Sequence, residues 1–179
     1  MDLNEQVTDS QRIYEGRIVN LRVDSVLLPN GKTSKREIVE HGEAVAIVPM
    51  LDAETVILVR QFRLPAGKVL LEIPAGGMNA GEDAATSARR ELSEEIGKAP
   101  GRLIPLYSCY VAPGYATEKI HGFLALDLTD APGEKDADEF LELVPMRMDD
   151  ALDAIATGGI EDGKTIAGLT LAARFLRRP

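Results

Sequence analysis

The amino-acid sequence predicts an α/β sandwich with an antiparallel strand region at its N-terminus. Short apolar or alternating runs typical of strands are interrupted by one internal helix, and two helical segments close the chain. The chain has 179 residues, of which 45% are hydrophobic, so it can bury one sizeable core and has little room for a second. These observations predict one main α/β domain.

The N-terminal forty residues predict a hairpin of strands. Residues 1–10 are polar and are expected to be loosely held. Residues 12–28 alternate like a strand, Pro29-Asn30-Gly31 is a turn signal, and residues 34–41 predict the returning strand. Because an isolated hairpin is marginally stable in water, it must pack on its own domain or on a partner subunit.

The remaining elements follow from apolar runs and helical periodicity. Residues 130–139 predict an acidic surface loop, because they combine Asp and Glu with Pro and Gly. Strands are predicted at 44–50, 55–62, 69–73, 103–111, 120–128 and 140–144, and the closing helices at 148–156 and about 165–176.

The internal helix is the most informative element of the chain. Gly81-Glu82-Asp83 predicts its start, it continues through Ile96, and Gly97 predicts its end. Its sheet-facing side is expected to carry Ala85, Leu92 and Ile96, which are spaced at i, i+7 and i+11.

Three carboxylates fall on the neighbouring side of this helix, at Glu91, Glu94 and Glu95. Like charges at this spacing destabilise a helix by roughly 0.2–0.5 kcal/mol per pair. One interpretation is a solvated acidic face. The other is a hard-cation site, because clustered carboxylates without Cys or His suit Mg²⁺ or Mn²⁺ better than Zn²⁺.

The surrounding residues favour the metal site. The stretch from Gly76 to Gly97 reads G-x5-E-x7-R-E-U-x-E-E-x-G, where U is apolar Leu92. This pattern resembles the Nudix box, the signature of Nudix hydrolases. Lys98 departs from the family, which usually has an apolar residue after the last glycine, and we expect only a small packing adjustment there.

Flanking motifs resemble the ADP-ribose pyrophosphatase branch of this family. They are Arg60-Gln61-Phe62-Arg63, the segment LEIPAG at 71–76, and Pro113. The resemblance implies a Nudix-type α/β/α sandwich with a mixed central sheet in residues 43–179. It also implies that the strand region of residues 1–42 is exchanged in a homodimer. The implied activity is hydrolysis of ADP-ribose to AMP and ribose 5-phosphate with two to three Mg²⁺ or Mn²⁺ ions.

The resemblance also implies the metal ligands. Glu91 and Glu95 match the carboxylates that bridge metals, and the Ala75 carbonyl matches a backbone ligand. Glu94 matches a further ligand or catalytic group. Glu82 and Arg90 are interpreted as a structural ion pair.

Catalytic and substrate-binding roles follow by the same resemblance. Glu118 matches a general base in the loop 112–119, which is expected to swing over the substrate; the alternative is a solvated side chain. Arg63 matches an arginine that binds the substrate phosphates, and Arg60 is the weaker candidate because it points to the other side of the same strand. Ile18 and Arg36 occupy hairpin positions that grip adenine, from the partner subunit in an exchanged dimer.

Composition excludes several other functions. A net charge of −9 argues against nucleic-acid or anionic-membrane partners. The start lacks the pattern of a signal peptide, no apolar run reaches membrane-spanning length, and Cys109 is the single cysteine, so a cytoplasmic location is expected. Cys109 lies in an apolar run and is expected to be buried and inert.

One motif is interpreted as a decoy. Residues 158–165 match the phosphate-binding pattern G-x4-G-K-T. The preceding segment is helical rather than a strand, and Glu161 and Asp162 would face the phosphates, so a connection between helices is predicted.

Several functional alternatives remain beside the main interpretation. GDP-mannose or another nucleoside diphosphate sugar is an alternative substrate, because no base-reading residue is decisive. A noncatalytic nucleotide-binding module would require a damaged signature, whereas every carboxylate of the motif is present. An isopentenyl diphosphate isomerase would need a cysteine in the site, and RNA decapping would need a basic surface.

Overall fold

The computed structural model describes residues 2–134 and 140–177, so part of the predicted acidic loop, residues 135–139, lies outside the described residues. The strands are β1 (Gln6–Glu15), β2 (Val19–Leu27), β3 (Thr33–His41), β4 (Ala44–Pro49), β5 (Thr55–Arg63), β6 (Lys68–Glu72), β7 (Ala75–Gly77), β8 (Lys98–Tyr110), β9 (Lys119–Asp130) and β10 (Leu141–Arg147). The helices are α1 (Ala84–Ile96), α2 (Met148–Ala156) and α3 (Gly163–Leu176). None of the described helices has the length and apolar character needed to cross a membrane.

The first compact unit contains the N-terminal residues through Glu43 together with Tyr110–Lys119. Its sheet has the order β1-β2-β3 with antiparallel neighbours. The prediction that the first ten residues are loosely held is wrong for residues 6–10, because β1 begins at Gln6, which pairs with Leu27 of β2. Polar side chains reinforce this pairing: the hydroxyl of Thr8 donates to the Ser25 carbonyl and that of Ser10 to Asp24.

The loop that carries Glu118 belongs to this same unit. The amide of Val39 in β3 donates to the Tyr115 carbonyl at 2.8 Å, and the Thr117 amide donates to the Val39 carbonyl at 3.0 Å. The Thr117 hydroxyl accepts from the His41 amide at 2.9 Å and donates to the His41 carbonyl at 3.0 Å. The loop is therefore tethered to β3, and the expected swing over the substrate would break these hydrogen bonds.

The second compact unit, Ala44–Cys109 with the residues from Ile120 onward, is built around β4. Its larger sheet has the order β7-β4-β9-β8, in which β4 runs parallel to β9 and antiparallel to β7. A second, antiparallel sheet has the order β10-β5-β6. All six residues of β4 are buried, as expected for a strand covered on both faces.

Alternate residues of β4 enter two hydrophobic cores. Ala46 and Val48 belong to the core that contains α2 and α3, whereas Val45 and Ile47 belong to the core that contains α1. Because neighbouring side chains in a strand point to opposite faces, one strand joins both cores. The predicted α/β/α sandwich with a mixed sheet is confirmed.

Two packing predictions were wrong. Ala85 in the first turn of α1 is exposed, and Ala88 instead joins Leu92 and Ile96 in the core, because these three follow the i, i+4, i+8 row along the helix. Cys109 lies near the end of β8 and is exposed rather than buried. The P-loop-like segment does connect α2 to α3, as predicted.

Thr117→Val should loosen the contact between the Glu118 loop and β3. The variant keeps the shape of the side chain but removes both hydroxyl bonds to His41, so exchange of the His41 amide hydrogen should accelerate roughly two- to tenfold. Hydrogen–deuterium exchange resolved to single amides measures this. Thr8→Val, which removes a hydroxyl bond between β1 and β2, is the matched control and should leave His41 unchanged. Equal exchange rates of the His41 amide in the unmodified protein and in both variants would contradict the conclusion that Thr117 tethers the loop to β3.

Candidate active site

The position of α1 is set by caps at both ends. The Asp83 side chain accepts from the amides of Ala85 at 2.9 Å and Thr86 at 3.0 Å, which is a standard N-cap. Gly97 adopts φ 67°, and its amide donates to the Ser93 carbonyl at 3.1 Å, so the helix ends in a left-handed cap. These caps bound the helix that carries the motif carboxylates.

Arg90 lies at the centre of the acidic cluster. Its guanidinium bonds Glu91 at 2.7 Å and Glu94 at 2.8 Å through Nη1, and Glu82 at 3.1 Å through Nε and Nη2. Nη2 also donates to the Gly77 carbonyl at 2.9 Å. Hydrogen bonding to Glu82, followed by the nearby charge of Glu91, raises the pKa of Arg90, and the Arg90 bond lowers the pKa of Glu82. The structure thus contains the expected Glu82–Arg90 pair and extends it to the helix carboxylates.

Glu91 and Glu95 are the buried members of this cluster, with exposed fractions of 7% and 5%. A Cβ atom added to Gly76 would lie 2.2 Å from the Glu91 carboxylate, so only glycine leaves room for that group beside β7. The Ala75 amide donates to Glu95 at 3.4 Å. The structure therefore brings Glu91, Glu95 and Ala75 together at one place, with Glu94 tied to them through Arg90.

This donor set fits a hard divalent cation, because it offers carboxylate oxygens beside the Ala75 backbone and contains neither sulfur nor imidazole. Among residues 2–134 and 140–177, no three Asp, Glu, His or Cys side chains are already gathered in a metal-binding geometry. Arg90 forms ion pairs with two of the motif carboxylates, Glu91 and Glu94. A bound cation would compete with Arg90 for these oxygens.

The two arginines of β5 point to different partners. Arg63 forms a bidentate ion pair with Glu72, with Nε and Nη2 at 2.8 and 2.9 Å from its oxygens. Arg60 is exposed and reaches Glu142 on β10 at 3.4 Å. The hydrogen bond to Glu72 is the main cause that raises the pKa of Arg63, and the charge of Glu95 contributes to the same shift.

The other predicted site residues lie in the N-terminal unit. Glu118 ends its loop, where its carbonyl accepts from Val111 at 3.1 Å and its carboxylate lies 3.8 Å from His41. Arg36 on β3 pairs with Glu5, and Ile18 is exposed in the turn between β1 and β2.

Sequence reasoning missed two charged residues of the second unit, Glu72 and Lys164. Glu72 is buried at the end of β6, and the Lys164 ammonium bonds its carboxylate. An acidic residue between the apolar Leu71 and Ile73 was a signal for the first, and the lysine of the P-loop-like pattern was a signal for the second.

Comparison with protein-family models matches the NUDIX domain over residues 40–169 and the nucleoside diphosphate sugar hydrolase N-terminal domain over residues 5–39. The chain belongs to the Nudix family. The carboxylate cluster on α1 is accordingly the Nudix motif of this chain.

Among curated proteins, the chain is similar to an ADP-ribose pyrophosphatase of Bacillus subtilis (strain 168), at 40% identity over 91% of this chain and 89% of the relative. A methanol dehydrogenase activator of Bacillus methanolicus is 41% identical, over 97% and 92%. A GDP-mannose pyrophosphatase of Yersinia pestis (strain Pestoides F) is 34% identical, over 76% and 74%. The solved structure of an ADP compounds hydrolase superposes with a TM-score of 0.90 at 24% identity, over 99% of this chain and 97% of that one, which shows the Nudix fold.

Gly76→Ala should displace the Glu91 carboxylate while preserving the fold. The added methyl group would occupy the space of that carboxylate, and the end of a glutamate side chain can rotate away cheaply. Mn²⁺ affinity, measured by titration calorimetry, should fall roughly 10–100-fold, as when a group that orients a metal ligand is lost. Gly77→Ala is the matched control, because a Cβ there meets nothing within 4 Å. Equal Mn²⁺ affinity in both variants would remove Glu91 from the metal site.

Proposed function

We propose that this protein is a pyrophosphohydrolase that cleaves the diphosphate of ADP-ribose, giving AMP and ribose 5-phosphate, with bound Mg²⁺ or Mn²⁺. The observation that carries the proposal is the intact Nudix motif, whose buried Glu91 and Glu95 lie beside Ala75. Similarity to an ADP-ribose pyrophosphatase over 91% of the chain supports the substrate.

The acidic composition explains why metal is needed. A protein of net charge −9 repels a diphosphate unless local cations offset both partners. Two to three divalent ions held by Glu91, Glu95, Glu94 and the Ala75 carbonyl would supply that charge, polarise the phosphoryl oxygens and acidify a bound water. The chain's own part is to hold these oxygens in place, and Arg90 does so by bonding Glu82, Glu91 and Glu94 together.

The base that takes a proton from the attacking water is assigned to Glu118. Its loop is fixed on β3 by hydrogen bonds to Val39 and His41, so its carboxylate has a defined position beside the His41 ring. Glu94 is the second candidate, because it is the least buried of the three motif carboxylates on α1.

The substrate contacts are assigned by resemblance to the family. Arg63 would bind the diphosphate through its planar fork, and Arg60 is a weaker candidate because it lies exposed against Glu142. Arg36 and Ile18 would contact adenine from a partner subunit, in a homodimer that exchanges residues 1–42 and leaves residues 43–179 as the hydrolase domain. The exposed Ile18 and the polar strand β1 are compatible with such an exchange. The single cysteine, which allows no intrachain disulfide, supports a cytoplasmic location.

A second substrate candidate is GDP-mannose or another nucleoside diphosphate sugar. Similarity to a GDP-mannose pyrophosphatase favours it. The motif chemistry would be the same for both substrates, because it acts on the shared diphosphate.

Product analysis with Mg²⁺ separates the candidates. The purified protein is incubated with ADP-ribose, GDP-mannose, UDP-glucose and diadenosine polyphosphates, and the products are resolved by ion-exchange chromatography. We expect ADP-ribose to give AMP and ribose 5-phosphate and to have the highest kcat/KM of the substrates tested. Preference for GDP-mannose would move the assignment to the second candidate, and no turnover of any of them would refute the proposed activity.

Glu95→Gln should lower kcat by at least about 10²-fold, because it removes a metal-binding charge. The fold should survive, since the amide oxygen can still accept the bond from the Ala75 amide. The melting temperature without metal should stay level or rise, because the variant relieves carboxylate repulsion on α1. Steady-state kinetics and thermal unfolding measure both effects, with Glu161→Gln as an exposed control. Turnover close to that of the unmodified protein would exclude Glu95 as a ligand.

Glu118→Gln should lower kcat roughly 10²–10⁴-fold with little change in KM, as general-base removal commonly does. A titration with Mg²⁺ and Mn²⁺ separates the alternatives. If Glu118 only binds a metal ion, high metal concentrations restore the rate by mass action. If Glu118 is only solvated, neither kcat nor KM changes, and Glu94 becomes the leading candidate for the general base. The next candidates are Glu91 and the acidic segment 134–139, most of which lies outside the described residues.

A further inference from the structure

A buried carboxylate near the start of α3 is held by two cations. The Glu72 side chain is 1% exposed, and Arg63 bonds both of its oxygens at 2.8 and 2.9 Å. The Lys164 ammonium bonds Glu72 Oε2 as well. Burial raises the pKa of Glu72, but hydrogen bonds and charge from Arg63 and Lys164 outweigh it and lower that pKa overall, so the group is ionised. One buried negative charge therefore has two positive partners.

Lys164 is the fixed partner of this carboxylate. Its side chain is only 14% exposed, and its ammonium also lies 3.0 Å from Asp162, the N-cap of α3. Its backbone carbonyl accepts from the Tyr107 hydroxyl at 3.0 Å. A lysine in the first turn of a helix is disfavoured by the helix dipole, so its position is explained by the carboxylates that it neutralises.

Arg63 is the accessible partner. Its side chain is 39% exposed, and its partner Glu72 lies three residues before Ala75, whose amide bonds Glu95 on α1. A diphosphate bound at the proposed metal ligands would compete with Glu72 for the same guanidinium.

The energetics of that competition depend on Lys164. Breaking a buried ion pair by removing one partner is strongly unfavourable, because the other charge is left uncompensated. If Arg63 were the sole cation on Glu72, it could bind phosphate only by leaving such a charge behind. With Lys164 in place, Glu72 keeps a cation when Arg63 departs.

We propose that Lys164 is a positioning residue that neutralises Glu72 and thereby releases the Arg63 fork to the diphosphate of a nucleoside diphosphate substrate. The inference rests on the proposed function, in which Arg63 binds the substrate phosphates. It also gives a role to the P-loop-like pattern: its lysine acts on phosphate through Arg63 rather than by touching it.

The neighbouring Thr165 has a parallel structural role. Its hydroxyl oxygen accepts from the buried Ile73 amide at 2.9 Å and bonds Asp162. Ile73 lies two residues before Ala75, so the start of α3 fixes both the end of β6 and the approach to the proposed carbonyl ligand.

The test is steady-state kinetics of ADP-ribose hydrolysis in the full-length protein. Lys164→Met keeps the length of the side chain and removes its charge, so KM should rise about tenfold or more while kcat stays within roughly threefold. Lys164→Arg should restore KM. In the double variant Glu72→Gln/Lys164→Met, KM should return toward the original value, because the neutral side chain at position 72 no longer retains Arg63. Lys68→Met, which loses an exposed ion pair with Glu161, is the matched control and should change nothing.

A purely structural role for Lys164 gives a different pattern. The melting temperature and kcat would then fall together, KM would stay level, and the double variant would not recover; that result would overturn the proposal. Should Lys164→Met not fold, Glu72→Gln alone decides. A KM equal to or below that of the unmodified protein supports the proposal that Glu72 competes with the substrate for Arg63. A raised KM shows instead that Glu72 orients Arg63.

Failure of this inference is separable from failure of the proposed function. If the unmodified protein turns over none of the nucleoside diphosphate substrates, the function is wrong. If it turns them over and Arg63→Met raises KM, but Lys164→Met does not, the function stands and the role of Lys164 is refuted. An unchanged KM in Arg63→Met would refute both the phosphate-binding role of Arg63 and the release role of Lys164, while leaving the hydrolase activity in place.

Discussion

Repulsion among the carboxylates of α1 is the constraint on which the rest of the site depends. Glu91 and Glu95 are almost fully buried, and Glu94 adds a third negative charge one turn away. Arg90 offsets this repulsion by bonding Glu91 and Glu94, and it also ties the helix to the preceding loop through Glu82 and the Gly77 carbonyl. The contacts that offset the repulsion among these carboxylates therefore also set the geometry in which they could bind a cation.

A second network of charged residues, Glu72 with Arg63 and Lys164, lies next to the segment that contains Ala75. On one side, Gly76 leaves the space that the Glu91 carboxylate occupies. On the other side, the Ile73 amide donates a hydrogen bond to the Thr165 hydroxyl, and Glu72 forms ion pairs with Arg63 and Lys164. The short segment between β6 and β7 is thus fixed from both ends, as the proposed roles of the Ala75 carbonyl and of Arg63 require.

The sequence predicts the parts of this arrangement that depend on local spacing. The bounds of α1, its caps and the identity of its carboxylates follow from a motif within a single helix and its loop, and β4 follows from an uninterrupted apolar run. Which face of α1 packs on the sheet is harder to predict, because Ala85 and Ala88 are less than one turn apart and only the position of the sheet decides which of them is buried.

Contacts between distant segments were not predictable from one sequence. Lys164 and Glu72 are 92 residues apart, and Thr117 and His41 are 76 apart, so neither pairing leaves a local pattern. The polar strand β1 lacks an apolar periodicity, because backbone pairing with β2 and side-chain hydrogen bonds hold it, and its sequence therefore resembles that of a loose terminus. The prediction for Cys109 fails for a related reason: an apolar run near a strand end says nothing about what covers it.

The central claim is that the buried carboxylates of α1 and the Ala75 carbonyl hold the catalytic metal. Anomalous X-ray diffraction from crystals soaked in Mn²⁺ tests it most directly. The account predicts anomalous peaks within coordination distance of Glu91, Glu95 and the Ala75 carbonyl, with Arg90 displaced from at least one of its carboxylate partners. Manganese peaks confined to other surfaces, with the Arg90 ion pairs intact at saturating Mn²⁺, would contradict it.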